Sequence, residues 1–203
     1  MNLKGLVIMQ AGNERLVVAA AASAALAFGA AQPEQAIVMG RFQAVLRDAQ
    51  GNVKWIEEYD NLVTDVGARL MLDTILAGSA FTATTYLGLK GSGSAAVGDT
   101  QASHAGWLEV GGTNAPAYTA PRKTLAWSAA SGSGAGSRSK ASNGTFTFVF
   151  TSGGTVDGSF LNINGTSTID NTTGTLFSAG TFSGGSRTVV STDQLTVTYT
   201  LSA

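Results

Sequence analysis

The chain has no cysteine, and that one absence excludes disulfide staples, thiolate nucleophiles and thiolate zinc sites together. Its single histidine, His104, lies between Ser103 and Ala105, with no carboxylate spaced to orient it as a base for a nucleophile, so it reads as structural. Charge is scarce as well. Asp, Glu, Lys and Arg make up 12% of the 203 residues, about half the usual share. Twelve basic residues stand against thirteen acidic, a net charge of -1, and no basic cluster is interleaved with aromatics. The electrostatic footprint of nucleic-acid binding is missing, and no direct nucleic-acid ligand is expected.

A free monomer normally spreads charge over its surface to stay soluble, so this shortage implies that much of the surface faces other protein. The alternative is a Thr/Ser-solvated β domain that is merely poor in charge. What the chain has in place of charge is small residues: glycine reaches 26, and alanine supplies much of the 44% hydrophobic content.

Residues 16–31, LVVAAAASAALAFGAA, imitate the apolar region of a secretory leader. Glu14 stands where a basic leader belongs, Leu6-Val7-Ile8-Met9 adds an earlier apolar run, and the Ala-rich run is weak for a membrane span. The segment therefore reads as an Ala-rich assembly arm, residues 1–38, with a composition break at Gln32-Pro33-Glu34-Gln35. No membrane partner is expected.

Residues 39–203 read as a β body. Phe42-Gln43-Ala44-Val45-Leu46 and Val53-Lys54-Trp55-Ile56-Glu57-Glu58-Tyr59 flank a turn cluster, Asp48-Ala49-Gln50-Gly51-Asn52, and predict a hairpin. Thr64 or Asp65 caps a short helix through Val66, Leu70, Ile75 and Leu76, with Gly78 placed to stop it. Strands follow at 85–89, 106–110, 123–127, 145–150, 156–163, 175–178, 187–190 and 195–201. Phe146, Phe148 and Phe150 alternate with threonines, and Leu195, Val197, Tyr199 and Leu201 do the same; these two faces are expected in one core. The pattern predicts a mainly β chain, an antiparallel two-sheet β-sandwich of jelly-roll type with one short helix. Residues 129–140, AASGSGAGSRSK, read as a low-complexity loop.

The sequence offers no assembled chemistry, so the catalytic, cofactor-binding and metal sets are each expected to be empty. Glu57, Glu58, Asp60 and Asp65 read as a solvated rim around the hairpin end and helix cap. Asp157-Gly158 and Asp170-Asn171 fall short of a calcium loop. Gly91-Ser92-Gly93-Ser94 with Gly98 lacks the Lys-Ser/Thr ending of a phosphate cradle. Three sequons begin at Asn143, Asn164 and Asn171, and the two Asn-Gly pairs among them are better read as tight turns.

Several short motifs occur in a recognisable order: Asn61-Leu62-Val63-Thr64, Tyr86-Leu87-Gly88-Leu89, Gly98-Asp99-Thr100, Ser103-His104-Ala105-Gly106-Trp107 and Gly158-Ser159-Phe160-Leu161. Gly174-Thr175-Leu176-Phe177-Ser178-Ala179-Gly180 and Leu195-Thr196-Val197-Thr198-Tyr199 complete the series. In this order the body, residues 39–203, resembles a family of small structural proteins of tailed-bacteriophage virions, described as decoration, cement or tail-associated proteins. The resemblance implies a virion component with a β-sandwich body; an enzyme such as a glycan hydrolase is not expected, because no acid/base pair is visible in the sequence. The leading expectation is a capsid decoration or cement protein whose partners are the major capsid protein and copies of itself, as a homo-oligomer on the capsid surface. The alternative is a tail-fibre or receptor-binding module in which Tyr118, Trp107 or Trp127 touches host glycans.

Overall fold

A computed structural model describes residues 38–76, 83–119, 121–133 and 137–203. The arm expected over residues 1–38 lies outside these except for Val38, and so does Gly78, the expected helix stop. The described residues are mainly β. Strands β1 (Met39–Arg47) and β2 (Val53–Val63) form the expected hairpin, followed by helix α1 (Asp65–Leu76). Then come β3 (Thr85–Gly93), β4 (Trp107–Val110), β5 (Lys123–Leu125), β6 (Ser139–Ala141) and β7 (Phe146–Val149). The chain ends with β8 (Gly154–Val156), β9 (Gly158–Ile163), β10 (Thr175–Thr181), β11 (Arg187–Val189) and β12 (Gln194–Ser202).

Among the described residues, one antiparallel sheet of ten strands runs β4-β3-β9-β10-β2-β1-β12-β6, with β5 on β3 and β7 on β12; β8 and β11 form a separate pair. The hairpin turn is tied by Asp48, whose Oδ1 accepts the Gln50 and Asn52 amides at 2.9 Å each. Gly51 takes the positive φ, 87°, that this turn needs. At the helix start Thr64 Oγ1 accepts the Gly67 amide at 3.1 Å, the expected cap. The Thr64 amide also donates to Phe177 O at 3.1 Å, which fixes α1 against β10.

β2 serves two neighbours in succession. Its residues from Val53 to Asp60 pair with β1, and Asn61, Leu62 and Val63 pair with β10. At the far ends of the path, residues 126–128 join the β5 segment to residues 141–143, through Ser128 N to Ala141 O at 3.0 Å and Asn143 N to Ala126 O at 2.8 Å.

Period-2 alternation gives each half of the path one apolar face, and these faces share a single core. Phe42, Ala44 and Leu46 of β1, Leu195, Val197 and Tyr199 of β12 and Phe148 of β7 meet Leu87 and Leu89 of β3, Leu161 of β9 and Phe177 of β10. The two faces expected to meet do so side by side, because Leu195 pairs with Phe148 and Val197 with Phe146. Phe160, adjacent to Leu161 on β9, turns the other way into a small second cluster with Trp107, Leu176 and Ala179. Gly88 pairs with Phe160, and a Cβ on it would sit 2.4 Å from that ring, so only glycine fits.

Two strand expectations are refined. Residues 156–163 divide at Asp157 into β8 and β9. The loop expected over 129–140 contains the start of a strand, β6, because the end of β12 is an edge that Ser139, Lys140 and Ala141 complete.

Candidate functional site

Charged groups gather where loops fold over the second cluster. Glu109, buried on β4, receives Arg122 Nε on Oε1 at 2.8 Å and a terminal guanidinium nitrogen on Oε2 at 2.7 Å. The remaining guanidinium donors reach Thr166 O at 3.1 Å and Asn171 O at 2.8 Å, and the Asp170 amide adds a bond to Glu109 Oε2 at 2.9 Å. The guanidinium carbon lies 5.5 Å from the centre of the Phe160 ring. Trp107 donates its indole N–H to Asp99 Oδ2 at 2.9 Å, and His104 stacks on Trp107 with ring centres 4.0 Å apart. His104 Nδ1 lies 3.1 Å from Trp107 O; a carbonyl can only accept, so Nδ1 carries the proton.

A cleft of about 400 Å³ opens beside these residues, bordered by Gln101, His104, Glu109, Asp170 and Asn171. Its chemistry is limited by prior commitments. The Glu109 carboxylate accepts three N–H bonds, two from Arg122 and one from the Asp170 amide. The site works as a clamp that holds loop residues 166–171 to the sheet.

The remaining internal charges are also committed. Lys90 on β3 is fully buried, 3.3 Å from Asp157 Oδ2, and donates to the carbonyls of Gly91 and Gly93. Burial lowers the Lys90 pKa, and the neighbouring Asp157 opposes that shift. The Gly91-Ser92-Gly93 end of β3, expected as a loop, therefore turns carbonyl oxygens toward an ammonium, the opposite polarity to a phosphate cradle. Lys54 pairs with Asp193 at 2.6 Å.

The acidic rim divides. Glu58 and Asp60 are solvated and share Arg41, as expected. Glu57 is not solvated: its side chain is 10% exposed and accepts from Arg187, Ser183 and the Gly184 amide. Burial raises its pKa, but those donors outweigh it and hold the carboxyl below its ordinary range. Among the described residues no group of three or more His, Asp or Glu is placed to hold a metal ion.

A second recess is apolar. Leu70 and Met71 of α1, Leu161 and Ile163 of β9, Phe177 of β10, Trp127, Tyr199 and Leu201 line a groove of about 230 Å³. Its polar borders are already satisfied: Trp127 Nε1 donates to Thr85 Oγ1 at 3.2 Å, Lys140 Nζ to Ser128 O at 2.8 Å, and Thr74 Oγ1 to Leu70 O at 2.7 Å. Such a groove suits apolar side chains and offers them little hydrogen bonding.

Among the described residues, Met39, Ile56, Leu72, Val97, Leu108 and Val190 are each more than half exposed. Leu62, exposed on β2, pairs with Ala179 of the second cluster. The aromatics assigned to glycan contact are placed differently from that expectation. Trp107 is 1% exposed and Tyr118 3%, and Trp127 packs against the main core, because each ring has apolar partners on the sheet.

The Glu109–Arg122 clamp had one sequence signal, a lone acid inside the apolar run Trp107-Leu108-Glu109-Val110. The groove had none, since its lining comes from seven separate segments. Among the described residues no helix is long and apolar enough to cross a membrane. No family model, curated protein or solved structure matches the chain.

Proposed function

We propose that this chain is a structural protein of a tailed-bacteriophage virion, a capsid decoration or cement protein that binds the major capsid protein and copies of itself. The observation that carries this reading is an inversion of the usual charge placement. In a chain already poor in charge, Lys90, Asp99, Glu109, Arg122, Asp157 and Asp193 are buried, while large apolar side chains such as Ile56, Leu72 and Leu108 face outward. A surface of that kind is suited to burial against other protein. The ordered motifs that resemble the virion family point the same way.

The body is proposed to be a two-sheet, jelly-roll-like sandwich. Supporting this are β2, which passes from one half of the sheet to the other, the bonds that join residues 126–128 to 141–143, and the core shared by both halves. Residues 1–38 are the proposed assembly arm. The mechanism is contact area repeated over a symmetric shell, where avidity multiplies modest single contacts.

Quantitative mass spectrometry of virions carrying the protein tests this. A decoration protein is present in a fixed ratio to the major capsid protein, at hundreds of copies. A handful of copies assigns it to the tail and overturns the capsid reading.

A further inference from the structure

The two Asn-Gly pairs are identical in sequence and differ in how the fold holds them. Asn143-Gly144 lies between β6 and β7, and Asn143, Gly144 and Thr145 are all exposed. The Asn143 backbone is held, its amide on Ala126 O at 2.8 Å. Among the described residues, neither its side-chain amide nor the Gly144 N–H makes a hydrogen bond. Gly144 stands at φ 120°, and the space beside its Cα is nearly open, with the Phe146 ring 3.7 Å from a hypothetical Cβ.

Asn164, after β9, is exposed as well, but it is bonded through both backbone and side chain, and Gly165 is half-buried. The Asn164 amide donates to Thr84 O at 2.9 Å, and its side-chain oxygen accepts from Thr84 N at 3.3 Å. A Cβ on Gly165 would collide with Asn162 Oδ1 and Thr173 O. Asn171 is restrained in another way: its Oδ1 accepts from the Thr173 amide and hydroxyl, and the next residue, Thr172, is β-branched.

We infer that Asn143-Gly144 is a site of spontaneous deamidation and that the fold protects Asn164-Gly165. In the reaction the Gly144 amide loses its proton, and its nitrogen attacks Asn143 Cγ. The C–N bond to the side-chain nitrogen breaks, ammonia leaves, and a five-membered cyclic imide remains. Water then adds to one of the two imide carbonyls. Opening one way gives aspartate; opening the other way gives isoaspartate, with the chain rerouted through the side-chain carbon. Both products replace a neutral amide by a carboxylate, so a negative charge appears beside the bonds that join residues 126–128 to 141–143. Asparagine is a thermolabile residue, and here the leaving amide, the attacking nitrogen and the space for the ring are all unobstructed. Because the attacking amide must deprotonate, conversion accelerates as pH rises.

The full-length protein is aged at neutral and at mildly alkaline pH, natively and in denaturant, and digested with trypsin. Cleavage after Lys140 and Arg187 leaves all three asparagines on one peptide, so fragment ions assign the position. The native protein is expected to gain the mass of an NH₂-to-OH exchange at Asn143 at least about tenfold faster than at Asn164, a ratio that about 1.4 kcal/mol of barrier produces. In denaturant the two positions converge in rate, and Asn143→Gln removes the native mass change. Equal native rates at Asn143 and Asn164, or an Asn143 that stays intact while the denatured chain converts, overturns the inference.

Discussion

Arg122 grips Glu109 with two nitrogens, at 2.8 and 2.7 Å, and neither side chain is more than 3% exposed. Two parallel charge-assisted bonds fix orientation as well as position. Replacing one partner strands the other charge away from water. Arg122→Met is expected to cost about 3–5 kcal/mol in urea unfolding. Adding Glu109→Gln to that variant should recover part of the loss. A strictly additive double variant would show that the two residues do not act as a pair.

Stability should depend on pH through Glu57. Its folded pKa is depressed, so ionised Glu57 contributes stability above its unfolded pKa, and the contribution is lost as pH falls through the folded value. Glu57→Gln should therefore lower the unfolding midpoint at pH 7, and the gap from the parent should narrow in acid. A gap independent of pH would assign the effect to packing.

Phe148 is fully buried, pairs with Leu195 across the ladder and meets the Tyr118 ring edge-on at 4.9 Å. Truncation to alanine should cost about 3–5 kcal/mol. An unchanged thermal transition would remove this strand from the core.

Gly67 sets two effects against each other. Inside α1, alanine is favoured over glycine by about 1 kcal/mol. A Cβ at this position, however, would lie 2.3 Å from the backbone oxygen of Phe177, which cannot move without breaking β10. The clash should dominate, and Gly67→Ala should lower the melting temperature. A rise would mean that α1 shifts freely on the sheet.

The strands were legible where one face is buried, because Phe146-Thr147-Phe148 and Leu195-Thr196-Val197 write their burial as alternation. The hairpin and the helix cap were legible through local turn and capping chemistry at Asp48, Gly51 and Thr64. β6 was not, since Ser139-Lys140-Ala141 is a strand only because β12 offers it an edge. The break at Asp157 was hidden too: its amide donates to Lys90 O and its carboxylate meets the Lys90 ammonium, partners 67 residues distant in sequence. The Arg122–Glu109 clamp and the apolar groove depend on segments that only the tertiary fold brings together.

β12 has a further meaning in the order of synthesis. It lies between β1, the first strand of the sheet, and the short strands β6 and β7, yet it follows every other described element in sequence. Until β12 is made, β2 is the one partner of β1 among the described strands. The β1–β12 ladder cannot form until the nine residues Gln194–Ser202 have left the ribosome, so a nascent chain interrupted before Gln194 carries an apolar-faced hairpin that lacks this partner.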